Sequence, residues 1–118
     1  MRMEAVGQSD HTRRDDPHEA LCAQLLKLAG DQAQLADHWS INWSSLHFIG
    51  HRHRIDLIYG GHQPMRAAAH LFYHLPGHLF DLGDHFVADV GFTRIAPEDG
   101  PGDAEGWRIG IELLTVKE

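Results

Sequence analysis

Apolar residues recur every three to four positions in two stretches of this chain and alternate in four others. Leu21, Cys22, Leu25, Leu28 and Ala29 follow Asp16-Pro17-His18-Glu19 at helical spacing. Asp16 suits a cap, Pro17 the first helical position and Glu19 the carboxylate of a capping box. Gly30 ends or interrupts this helix, and Asp31 is placed to cap a continuation through Ala36 with Leu35 inward. Residues 63–75 give a second helix with Ala68, Leu71, Phe72 and Leu75 on its buried side, stopped by Pro76-Gly77.

From about Ile41 the period is two. Leu46 and Phe48 oppose Trp43, Ser45, His47 and Ile49. A turn is expected at Gly50 and the basic stretch after it, and Ile55, Leu57 and Tyr59 then share one side of a second strand. Phe86, Ala88, Val90 and Phe92 oppose Val87, Asp89, Thr93 and Ile95 over residues 85–95. Trp107, Ile109, Ile111 and Leu113 oppose Arg108, Glu112, Leu114 and Val116 over 107–117. The acidic segment between them, residues 96–106, reads as a loop. The expected order is αββαββ, an α+β fold of two layers with both helices on one face of a four-stranded antiparallel sheet. Pro17-x-x-Ala20 and Pro64-x-x-Ala67 open the two helices alike, which suits two αββ units sharing one sheet, although two capped amphipathic helices resemble each other this far by chance.

Length agrees with one domain: 118 residues, with 1–15 as a polar disordered arm and 16–118 as the folded unit. Cys22 is the sole cysteine, so no intramolecular disulfide forms. No apolar run has the length of a membrane span, and the first residues lack a signal-peptide core, so a cytoplasmic location is expected. The net charge of -7 and the absence of a basic patch argue against nucleic acid and anionic membranes as partners.

With the helices on one face, the other is expected to carry Trp43, Ile49, Arg54, Asp56, Ile58, Val87, Asp89, Arg108, Glu112 and Leu114. That mixture is rich in aliphatics for a solvent face. It suggests a surface for a homodimer, a small protein partner or an apolar ligand, in a non-catalytic binding or assembly protein. Asp56, Asp89 and Glu112 beside Arg54 and Arg108 are candidates for acid–base chemistry, although a flat sheet face gives no cleft and cross-strand ion pairs explain them more simply.

Histidine changes the picture: there are 11 in the chain. His51-x-His53 on a strand, and His70 and His74 four apart on a helix, each place two rings on one face. With Asp89 they would suit zinc or another divalent transition metal, in a small hydrolase-type enzyme. The alternatives are solvated rings at a turn for His51 and His53, and a helix-end cation for His74. A third reading is a pH sensor acting between about pH 5 and 7. Cys22, among core-facing helix residues, reads as a small inert hydrophobe.

Trp43-Ser44-Ser45, then Phe48-x-Gly50-x-Arg52-His53-Arg54-Ile55-x-Leu57, Val87-Ala88-Asp89-Val90 and Ile111-Glu112-Leu113-Leu114-Thr115-Val116, resemble a group of short uncharacterised bacterial proteins. The resemblance implies no activity, cofactor or site. It singles out Arg52, His53 and Asp89 among the polar residues.

Overall fold

The structure, a computed structural model, describes residues 16–99 and 105–118. The expected arm at 1–15 and the centre of the acidic loop lie outside the described residues. In chain order the elements are α1 (His18–Ala29), β1 (Ala33–Ser44), β2 (Ile49–Tyr59), α2 (Pro64–His74) with a 3-10 turn at Leu75–Gly77, β3 (His85–Asp99) and β4 (Glu105–Lys117). The fold is α+β. All strand pairs are antiparallel, and the sheet runs β1-β2-β4-β3, so the two hairpins meet through their second strands. No helix among the described residues is long and apolar enough to cross a membrane.

α1 begins where Asp16 Oδ1 accepts the His18 backbone N–H at 2.9 Å. It stops at Gly30, whose φ of 97° suits a residue without Cβ. The expected continuation to Ala36 does not form. From Ala33 the chain pairs with Tyr59, and the backbone groups a longer helix would have satisfied internally are satisfied by β2 instead.

The first hairpin is also displaced from the sequence expectation. Leu46 and Phe48 lie in the turn between β1 and β2 and are exposed, not core. Gly50 is no turn residue. It is buried in β2, opposite Trp43 and Val116, and a Cβ there would run into the Thr115 carbonyl oxygen. The second hairpin is longer than the alternation indicates, because Ala96–Asp99 pair with Arg108–Glu105.

The apolar core joins Ile55, Leu57 and Tyr59 of β2 to Ile109, Ile111 and Leu113 of β4, under Leu21 and Leu25 of α1 and Ala68 and Leu71 of α2. Each of these side chains is fully buried and contributes about 1.5–3 kcal/mol if large. Two β-bulges in β3 reset its faces. Between Val87 and Asp89 the register shifts, so Val87 pairs with Thr115 and Val90 with Leu113 on the helix side. Val87 therefore packs on the core, whereas Phe86 faces outward, 42 % exposed. The second bulge, between Phe92 and Arg94, turns Ile95 back to the helix side opposite Ile109.

Tyr59 ties the end of α1 to the sheet: its hydroxyl donates to the Ala29 carbonyl at 3.0 Å. Burial pushes this phenol up to about 12. Tyr59→Phe is expected to cost about 1–2 kcal/mol in urea unfolding, because a buried carbonyl loses its donor.

Candidate metal centre

The helix-facing side of the sheet has a second, polar end. In the β2–β4–β3 register His51 pairs with Thr115, and Thr115 with Val87. His53, two residues along β2, is completely buried. His51 and His53 thus lie inside the fold and not at a solvated turn, and their shared strand face is the one the helices cover.

A bulge in β1 brings a third element to this end. Ala33 and Leu35 pair with Tyr59 and Leu57, but the register shifts between Leu35 and His38. His38 then pairs with Ile55, and Ser40 with His53, on the helix side. Trp39 and Ile41 turn to the face opposite the helices, uncovered among the described residues, and are 46 % and 53 % exposed.

The first turn of α1 closes the site. His18 and Cys22 are four apart on one face of the helix. His18 Nε2 is 2.9 Å from His38 Nδ1 and 3.5 Å from Cys22 Sγ. The three donor atoms lie within 4.8 Å of one another. On its other side, His18 Nδ1 is 2.9 Å from His53 Nδ1, and the two rings stack 5.2 Å apart and nearly parallel. His53 Nε2 reaches Thr115 Oγ1 at 2.9 Å. The Thr115 hydroxyl donates to the His51 carbonyl at 3.3 Å. Asp16 borders the site, with Oδ2 accepting from the Ser40 hydroxyl at 2.7 Å. His85 lies beyond His51, ring to ring at 5.6 Å, with its Nδ1 3.0 Å from Asp84.

Electrostatics favour neutral rings here. Burial lowers His18 and takes His53 down to about 4, with neighbouring histidines adding to the effect and Asp16 opposing it. Burial pushes the Cys22 thiol up to about 11, and the Asp16 and Glu19 carboxylates push the same way. Burial thus favours neutral imidazoles at His18 and His53 and a protonated thiol at Cys22.

Other sequence candidates fall elsewhere. The His70 and His74 rings lie 4.2 Å apart, tilted at 47°, both exposed, on α2. Asp89 and Glu112 lie on the uncovered face, lining a groove with Arg52, Thr93 and Leu114. Arg54, Asp56 and Arg108 form an ion-pair network there. Arg108 Nη1 meets Asp56 Oδ2 at 2.8 Å, its Nε meets Glu98 Oε1 at 3.1 Å, and Arg54 Nε meets Asp56 Oδ1 at 3.3 Å. Trp43, Ile58 and Leu114 share that face through their pairings with Gly50, Arg108 and Arg52. Ile49 and Val87 do not. Ile49 has the same strand parity as His51 and is exposed at the start of β2, and the β3 bulge turns Val87 inward.

His18, Cys22 and His38 escape a reading of pattern alone. Their signal was His18-x-x-x-Cys22 at the start of a helix, one turn apart. His38 gave none, since only the bulge aims it inward. At the matching positions of α2, counted from Pro64, stand Met65 and Ala69, so the cluster belongs to one half of the fold. Compared with known protein families, curated proteins and solved structures, the chain matches none of them.

Proposed function

We propose that this protein binds one divalent transition metal ion, zinc foremost, through His18 Nε2, Cys22 Sγ and His38 Nδ1. The observation that carries this is the convergence of two imidazole nitrogens and a thiol from separate elements. Tetrahedral zinc with its usual bond lengths sets ligand atoms about 3.3 Å apart for two nitrogens and about 3.6 Å apart for nitrogen and sulfur. The contacts of 2.9 Å and 3.5 Å are within a few tenths of an ångström of those spacings. A thiolate with two imidazoles suits zinc better than magnesium or calcium, which prefer oxygen.

Three protein ligands leave a fourth position. His38, one of the three, is exposed to solvent. Water or a substrate oxygen would complete the tetrahedron there, the arrangement that metal-assisted hydrolysis uses. Elemental analysis of untagged protein is expected to find one zinc per chain, removed by chelation and restored by titration. Protein with no stoichiometric metal, and no response to chelator, would sink the proposal.

Assembly through the uncovered sheet face is a second reading, favoured by exposed Trp39, Ile41 and Phe86 beside the Arg54–Asp56–Arg108 network. Its expected occupant is a second copy of the chain, since a face carrying both charges beside apolar residues can be self-complementary across a two-fold axis. Light scattering on the eluting protein is expected to give a dimer that Trp39→Glu converts to a monomer. A wild-type monomer at high concentration counts against it.

A further inference from the structure

We propose that His53 and Thr115 are positioning residues for the metal. Acting in series, they hold His18 in the tautomer whose bare nitrogen faces Cys22 and His38. The inference rests on the metal reading above and deepens it.

The series begins at the Thr115 hydroxyl, which lies 3.3 Å from the His51 carbonyl and 2.9 Å from His53 Nε2. The His51 carbonyl only accepts, so the Thr115 hydroxyl donates its one proton there. Thr115 is fully buried, and Oγ1 meets His53 Nε2 at 2.9 Å. With its proton already committed, Oγ1 accepts, and His53 carries its proton on Nε2. A neutral imidazole has one N–H, so His53 Nδ1 is bare and accepts in turn. Its partner 2.9 Å away is His18 Nδ1, which therefore holds the proton. His18 Nε2 is then the nitrogen with a free lone pair, and it is the one aimed at Cys22 Sγ and His38 Nδ1.

Without Thr115 the series can run backwards. His53 would place its proton on Nδ1 and donate to His18 Nδ1. That pushes the His18 proton onto Nε2 and blocks the ligand position. The two directions differ only at the threonine, so one hydroxyl on β4 selects a metal-binding nitrogen on α1, two rings away. Outer partners that fix a ligating histidine typically alter metal affinity 10–100-fold when removed.

The test compares Thr115→Val, which keeps the shape and removes the hydroxyl, with Thr115→Ser, which restores it. Zinc affinity is measured by competition with a chromophoric chelator. Long-range proton–nitrogen NMR spectra of the metal-free proteins report which ring nitrogen of His18 is protonated. Wild type is expected to show the His18 proton on Nδ1. Thr115→Val is expected to bind zinc about 10–100-fold more weakly and to populate the Nε2–H form. Thr115→Ser is expected to return both readouts toward wild type. Wild-type His18 protonated on Nε2, or Thr115→Val binding zinc as wild type does, overturns the inference. The wild-type spectrum decides it even where Thr115→Val fails to fold. A wild type that takes up no zinc overturns the metal reading instead, and the tautomer still tests the direction of the series.

Discussion

Cys22→Ser and His18→Ala are each expected to weaken zinc binding by about 100-fold. A structural zinc site contributes roughly 10–16 kcal/mol in all, or about 3 kcal/mol for each of four ligands. His18 is the more instructive of the two. Its Nε2 is the atom shared by both short contacts of the triad. Its loss also removes the partner of Nδ1 on buried His53. Cys22→Ser keeps the shape and tests the ligand alone. Zinc at about 100 times its dissociation constant is expected to stabilise wild type by about 2.7 kcal/mol. That corresponds to a rise in melting temperature of roughly ten degrees for a chain of this size. Neither variant should show the rise at the same zinc concentration. Cobalt substitution gives an independent check, since sulfur-to-metal charge-transfer absorption should be present in wild type and absent in Cys22→Ser. Equal zinc-induced stabilisation of wild type and both variants would place any bound metal elsewhere.

The metal-free protein is expected to lose roughly 3 kcal/mol of folding stability as pH falls from about 6.5 to about 4, through His53 alone. Burial holds the folded imidazole down to about 4, against an unfolded value near 6.5. Below about pH 6.5 the unfolded chain takes up a proton that the folded chain refuses until about pH 4. Stability from this group is therefore complete above pH 6.5, declines as pH falls, and levels off once the folded ring also protonates. The groups facing His53 are His18 from α1, His51 from β2 and His85 from β3, with Asp16 opposing their effect. Urea unfolding in the presence of chelator, repeated across this range, gives the profile. His53→Gln keeps hydrogen-bonding capacity but does not titrate, and its profile is expected to be flatter by that amount. Parallel profiles for the two proteins would show that the folded ring protonates as easily as the unfolded one.

The architecture was legible because periodicity is a property of the chain itself. Leu21, Leu25 and Ala29, Ala68 and Leu71, and the alternating sets 55–57–59 and 109–111–113 reach the core as their spacing requires. What periodicity does not carry is a change of phase. Alternation alone places Val87 and Ile95 outward and Phe86 inward, because the β3 bulges lie between residues that alternate smoothly in sequence. Leu46 and Phe48 looked like core for the same reason, although they occupy a turn whose ends are set by the pairing of Ser44 with Ile49. Spacing puts His51 and His53 on one strand face, but their burial depends on β2 starting at Ile49, earlier than the alternation indicates. The ligands proposed here come from α1 and β1, and no local pattern relates two elements that meet only after the sheet has formed. Cys22 shows the limit most plainly. Its helical position reads as core, and it is buried, yet its sulfur lies 3.5 Å from an imidazole nitrogen.

The bulge in β1 has a consequence for how this protein can evolve. Ala33, Leu35, Trp39, Ile41 and Trp43 all fall in one frame of alternation, and His38, Ser40 and Asn42 in the other. A regular strand would send the first frame entire toward the helices and dilute the cluster into solvent. Three large apolar side chains are at stake, each worth about 1.5–3 kcal/mol if buried. The folded chain forgoes that gain and spends the inward positions on a histidine, a serine and an asparagine. Drift toward stability therefore has an easy route, a one-residue slip that no substitution announces. Descendants that have lost the chemistry should show a regular β1, with Trp39 and Ile41 turned toward the helices, before any ligand has been replaced.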